Sequence, residues 1–168
     1  MPSKILMVDD EPRVLAALKR ALRKEPFEIW GAGSAYEALQ LLSEQPMEVV
    51  VSDEKMPSMS GSELLAEIAV RYPETIRIML TGHASLDVAV KAINEGRIYR
   101  FMTKPVSEVE LAVTIRQALE YRKLLVQVVA LKQTVARQSS VIGELESRYP
   151  GISELELDAS GRIVLDCA

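Results

Sequence analysis

Five short apolar runs, each followed by a segment of helical periodicity, constrain this chain more than any other feature. The runs are KILMV (4–8), FEIWG (27–31), EVVVS (48–52), IRIML (76–80) and RFMT (100–103). Each is short and apolar or β-branched, as strands are. Between them lie amphipathic stretches. VLAALKRALRK (14–24) sets Leu15, Leu18 and Leu22 on one face, and AYEALQLLSEQ (35–45) follows Ser34, a good N-cap. SGSELLAEIAVRY (60–72) and SLDVAVKAINEG (85–96) each open on serine and carry an acid in the first turn. The latter closes on Gly96, a usual residue just past a helix end. Pro26, Pro46, Pro73 and Pro105 mark boundaries.

Repeated βα units of about 20–25 residues call for parallel strands with helices on both faces. The expected class is therefore α/β, a doubly wound five-stranded parallel sheet of the flavodoxin-like kind. EVVVS is apolar on both faces and suits the centre. The 168 residues are 48% hydrophobic and 26% charged, which is enough apolar material for a real core. The net charge of −4 argues against a nucleic-acid surface. A single cysteine, Cys167, excludes a disulfide framework and points to a reducing, cytoplasmic setting. No apolar run approaches the ~20 residues of a membrane span.

From Val106 the pattern changes. No proline or glycine interrupts it until Gly143, so the fifth helix is expected from about residue 106 to about 148. At 1.5 Å per residue that is roughly 60 Å. Tyr121, Leu124, Val128, Leu131, Val135, Gln138, Ile142, Leu145 and Tyr149 recur at alternating steps of 3 and 4. Val128, Val135 and Ile142 take the a positions, while Leu124, Leu131 and Leu145 take the d positions. β-branched residues at a with leucine at d favour a parallel two-stranded coiled coil, with Gln138 able to fix register. Around LLVQVVAL (124–131) the apolar surface is wider than such a seam needs. After YPG, the alternating ISELELDASGRIVLDC reads as a terminal β-hairpin. The expected organisation is a globular domain over 1–121, a coiled-coil dimerisation helix over 122–149 and a hairpin tail over 150–168.

The chemistry gathers where the strands end. In doubly wound sheets ligands bind beyond the carboxyl ends of the strands. The first strand ends in Asp9, Asp10 and Glu11, the third in Asp53, the fourth in Thr81 and the fifth in Lys104. Such a cluster of acids requires a positive partner. Carboxylates, a carbonyl and waters suit octahedral Mg²⁺. Lys104 and Thr81 can neutralise and hydrogen-bond the oxygens of a transferring phosphoryl group. Asp53, alone at its strand end, is the natural nucleophile.

The motifs VDDEP, VSDEKMPSMSG, LTG and TKP, in this order, resemble the receiver (CheY-like) domain of two-component response regulators over roughly residues 3–120. The resemblance implies that Asp53 accepts a phosphoryl group from a sensor histidine kinase. It implies that Asp10 and Asp53 bind Mg²⁺ directly with the backbone carbonyl of Lys55, while Asp9 acts through water. Thr81 and Lys104 would contact the phosphoryl oxygens, and Phe101 would be the aromatic switch. INEGRIYRFMTKP is similar to the receivers that accompany HD-GYP phosphodiesterases. Those often carry tryptophan where this chain has Val106, and no HD pair or GYP signature is present.

The reading that follows is a bacterial response regulator that is not an enzyme beyond its own phosphotransfer and dephosphorylation. It would dimerise through Leu124, Val128, Leu131, Val135, Ile142 and Leu145 and bind an unidentified downstream protein. The alternatives are a phosphorelay intermediate or phosphate sink, or the regulatory subunit of a separately encoded output enzyme. No helix-turn-helix or basic helix is legible, so neither a DNA nor a membrane partner is expected. A dehalogenase-like phosphatase would need Asp-x-Asp after its first strand, which VDDEP does not supply. His83 and Lys55 could tune phosphoryl lifetime, as such positions do in the family. His83 also reads as an ordinary loop residue. Trp30 and Phe27 read as packing, Cys167 as a tail residue without chemistry, and Arg97 and Arg100 as flanking a switching surface or simply solvated.

Overall fold

The computed structural model describes residues 2–82, 86–95 and 97–151. The chain divides into two units, Met1–Leu125 and Val126–Ala168.

The first unit alternates strand and helix. Its elements are β1 (Ser3–Val8), α1 (Pro12–Ala21), β2 (Phe27–Ala32), α2 (Ala35–Glu44), β3 (Val49–Asp53), α3 (Gly61–Arg71), β4 (Ile76–Thr81), α4 (Leu86–Asn94), β5 (Arg100–Thr103) and the start of α5 (Glu108–Arg148). The strands form one parallel sheet in the order β2-β1-β3-β4-β5. The chain order reverses beside β1, which is the topological switch of a doubly wound fold. β3 lies at the centre and every one of its residues is buried.

Alternation along the strands builds two cores. Leu6, Val8, Val50 and Met79 meet Leu42 of α2, Leu64, Leu65 and Ile68 of α3, and Ala89 and Ala92 of α4. On the opposite face Ile5, Met7, Val49, Val51, Ile78 and Leu80 meet Leu111, Ile115 and Ala118 of α5, with Leu15 and Leu18 of α1 at the edge. Trp30 and Phe27 pack against these cores, as expected of them.

Local chemistry sets the helix starts. Ser34 caps α2 by accepting the Glu37 N–H at 3.2 Å. α3 opens with a full capping box. Ser60 Oγ accepts the Glu63 N–H, and Glu63 Oε2 accepts the Ser60 N–H at 2.8 Å. That bond to the Ser60 backbone, with one from the Ser60 hydroxyl, holds the Glu63 carboxyl below its ordinary pKa. α1 begins two residues before its apolar pattern, because Pro12 fits the first turn. It ends at Ala21, and Leu22 turns fully into the core.

In the second unit α5 continues to Arg148, and Pro150 and Gly151 form a turn. Val128, Leu131, Val135, Ile142 and Leu145 are all exposed in the single chain. The hairpin expected at the C-terminus lies, beyond Gly151, outside the described residues. So do His83, Ser85, Gly96 and Cys167.

Candidate functional site

Strand register assembles the site. β1 pairs with β3 so that Val8 faces Ser52, and the next residue on each chain is Asp9 and Asp53. Asp9 is 1% and Asp53 7% exposed. β4 pairs with β5 so that Thr81 faces Thr103, and the Lys104 N–H then donates to the Thr81 carbonyl at 2.8 Å. Asp9, Asp53, Thr81 and Lys104 are thus delivered to one end of the sheet by pairing alone.

Lys104 closes the cluster. Its Nζ lies 2.7 Å from Asp53 Oδ1 and 3.1 Å from Asp9 Oδ2. Burial pulls the Lys104 pKa down, but hydrogen bonds and charge from Asp53 and Asp9 outweigh it and hold the value above the ordinary lysine one. The other oxygen of Asp9 accepts the Glu11 N–H at 2.9 Å, which fixes the turn into α1. Asp10 is exposed and lines a cavity of about 510 Å³ with Glu54, Lys55, Met56, Pro57 and Ser60. Thr81 is fully buried, and its hydroxyl donates to the Gly82 carbonyl at 3.1 Å. Phe101 is half-buried against the α2–α3–α4 core, on the strand that ends beside Lys104. The Lys104–Pro105 peptide is cis.

Among the described residues, no three His, Cys, Asp or Glu side chains are grouped so that they could hold a metal ion by themselves. The donor set still fits Mg²⁺. Asp9 and Asp53 share the one Lys104 ammonium, so a negative charge is left over, and the exposed Asp10 follows Asp9 directly in the chain. The donors are hard oxygens, and Mg²⁺ keeps several waters instead of demanding an all-protein cage.

Three residues here were not singled out from the sequence. Glu54 is buried, and its carboxylate accepts both the Ser62 N–H at 2.8 Å and the Ser62 hydroxyl at 3.0 Å. Gly61 packs so closely that a Cβ built on it would collide with the Asp53 carbonyl oxygen. The glycine was visible within SMSG, yet its reason, close backbone approach, is tertiary. Glu54 and Ser62 are eight positions apart across a loop, where no local spacing rule links them.

Farther along, Tyr121, which the spacing reads as a heptad position, makes a contact within the first unit. Its ring stacks on Tyr99 at 5.0 Å between centroids, with 28° between the planes. Arg100 lies over Tyr99 at 5.7 Å and donates to Gln117 at 2.9 Å, while Arg97 pairs with Glu95 at 2.9 Å.

The family model described as the response regulator receiver domain matches residues 5–116. The chain is 39% identical over 120 residues to the hydrogenase transcriptional regulatory protein HoxA of Cupriavidus necator, covering 71% of this chain. It spans only 25% of that relative's length. Among solved structures, the signal receiver domain of an HD domain-containing protein from Pseudomonas fluorescens Pf-5 is 40% identical, with a TM-score of 0.71. That match covers 75% of this chain and 93% of the other. A receiver domain protein from Clostridium thermocellum is 38% identical with a TM-score of 0.70, covering 73% of this chain and 98% of the other. Among the described residues, no helix is long and apolar enough to cross a membrane.

Proposed function

The chain belongs to the response regulator receiver domain family, and from that premise we propose that Asp53 is its phosphoacceptor. The observation that carries this is the Lys104 ammonium bonded to both Asp53 and Asp9 at the ends of three strands. An Asp53 carboxylate oxygen forms the new bond to phosphorus as the N–P bond of a kinase phosphohistidine breaks. The bonding pair leaves with the imidazole nitrogen, which takes a proton from solvent. Asp10, Asp53 and the Lys55 carbonyl would hold Mg²⁺, with Asp9 acting through water. The ion would neutralise charge on the phosphoryl oxygens. Lys104 would do the same, and its bond to Asp53 Oδ1 orients the acceptor.

The phosphoryl group brings negative charge and acceptor oxygens. Thr81, whose hydroxyl is now spent on the adjacent Gly82 carbonyl, turns to bond it. Phe101 then moves inward from its half-buried place, which alters the surface of α4, β5 and α5. The output is binding of a downstream protein by a dimer. The exposed seam of Leu124, Val128, Leu131, Val135, Ile142 and Leu145 on α5 supports pairing with a second copy. The protein acts as a switch and not as an enzyme beyond its own phosphotransfer and hydrolysis. In this organisation 1–121 is the receiver, 122–149 the dimer helix and 150–168 a tail.

A second reading is favoured by the name of the relative HoxA, a transcriptional regulatory protein. Under it, this receiver serves transcription. The two readings part at the output. Phosphotransfer from candidate histidine kinases, followed by pull-down and DNA binding with and without a phosphoryl mimic, separates them. The leading reading expects a phosphorylation-dependent protein partner and chemical-shift changes reaching Phe101. Shifts confined to the Asp53 loop, with phosphate passing on to another histidine, would favour a relay or sink.

A further inference from the structure

Glu54 raises a question that acceptor chemistry alone leaves open. It is a carboxylate only 8% exposed, one residue past Asp53, in the cavity that Asp10 and Lys55 also line. A further negative charge beside Asp53 and Asp10 is costly unless its oxygens are well satisfied. Both are satisfied by one residue. Oε2 accepts the Ser62 N–H at 2.8 Å and Oε1 the Ser62 hydroxyl at 3.0 Å. Ser62 stands in the first turn of α3, where free N–H groups and the helix dipole favour an anion. With both oxygens engaged, Glu54 is not itself placed to ligate a cation.

The main chain of Glu54 is held as firmly. Its N–H donates to the Leu80 carbonyl at 2.9 Å, and its carbonyl accepts the Gly61 N–H at 3.0 Å. The Asp53 carbonyl accepts the Ser52 hydroxyl at 2.9 Å and lies so close to Gly61 that no Cβ fits between them. The residue between Asp53 and Lys55 is therefore bolted to β4 and to the start of α3.

We propose that Glu54 is a positioning residue for the cation site. Anchored on Ser62, it fixes the turn that presents the Asp53 carboxylate and the Lys55 carbonyl, so both are in place before the ion arrives. The inference rests on the reading of Asp53 and Lys55 as ligands. Mg²⁺ tolerates little departure from octahedral geometry, so loosening this turn weakens binding of the ion itself.

The test uses the whole 168-residue chain with Glu54→Ala, Glu54→Gln, Ser62→Ala and the Glu54→Ala/Ser62→Ala double variant. Mg²⁺ affinity is read by calorimetric titration, phosphorylation by intact mass with a small acyl-phosphate donor, and melting temperature alongside. Glu54→Ala should weaken Mg²⁺ binding about tenfold, the usual effect of losing a group that orients a ligand. Glu54→Gln, which still offers an oxygen to the Ser62 N–H, should recover most of that loss. The double variant should be no weaker than Glu54→Ala, because the two residues act as one unit. An Ala variant that melts lower but binds Mg²⁺ within about twofold of the wild type marks Glu54 as a structural brace and overturns the proposal. If Glu54→Ala does not fold, the near-isosteric Glu54→Leu decides, because it also lacks both oxygens that Ser62 holds, and unchanged Mg²⁺ affinity there overturns the proposal equally. A wild-type chain that binds no Mg²⁺ overturns the parent reading and this inference together. Wild-type binding with unmoved variants overturns this inference alone.

Discussion

Lys104 Nζ lies 2.7 Å from Asp53 Oδ1, joining the loop after β5 to the end of β3 across the intervening β4. The same nitrogen reaches Asp9 on the far side of β3. One flexible ammonium therefore stands in for charge that the acids would otherwise direct at one another. Its role can be measured without any phosphodonor.

Lys104→Met should lower stability in Mg²⁺-free buffer by about 0.5–1 kcal/mol, a modest figure because solvent screens an ammonium that is partly exposed. Added Mg²⁺ should then raise the variant's melting temperature more than the wild type's, because the ion takes over neutralisation. Melting curves with and without Mg²⁺ check this.

The pH dependence of that contribution has a fixed sign. The folded pKa of Lys104 is raised, so its stabilisation is complete below the ordinary lysine value and is lost as pH climbs through the raised one. The difference in unfolding free energy between wild type and Lys104→Met should be flat from about pH 7 to pH 9 and shrink only in stronger alkali. Denaturant unfolding across that range is the measurement.

Gly61→Ala should cost about 1–3 kcal/mol, the usual range for overpacking a filled site. The added methyl meets the Asp53 carbonyl, which is backbone and cannot step aside. The same substitution at Gly143, where nothing lies within 4 Å, is a fitting control. It should stabilise the helix by about 0.5–1 kcal/mol.

Replacing Val128 and Leu131 with glutamate should abolish the dimer at micromolar concentration while leaving Asp53 phosphorylation unchanged. Both residues are exposed on the single chain and both lie outside Met1–Leu125. Sedimentation equilibrium and intact mass, run on the same samples, test the two halves of that statement. A wild-type chain that sediments as a monomer contradicts the dimer.

Much of this was legible in the residues. Asp53, Thr81 and Lys104 could be placed on one rim because strand ends follow from apolar runs, and the rim follows from parallel order. Ser34 and Ser60 announced their helices by local hydrogen-bond chemistry. Leu22 was read inside α1, but core packing ends that helix a turn sooner. The Glu54–Ser62 bond was invisible because it spans a loop, and Gly61 earned its place from a contact that only the folded chain has. Tyr121 fitted the heptad by spacing alone. Its stacking on Tyr99 depends on how β5 meets α5, which periodicity does not encode.

The most direct measurement is the site of phosphorylation. The chain is incubated with Mg²⁺ and a small acyl-phosphate donor, the acyl phosphate is trapped by reduction, and peptides are mapped by mass. One phosphoryl group per chain, confined to Asp53 and absent from Asp53→Asn, is the predicted result. Equal labelling of Asp53→Asn at another residue, or none of the wild type, would contradict it.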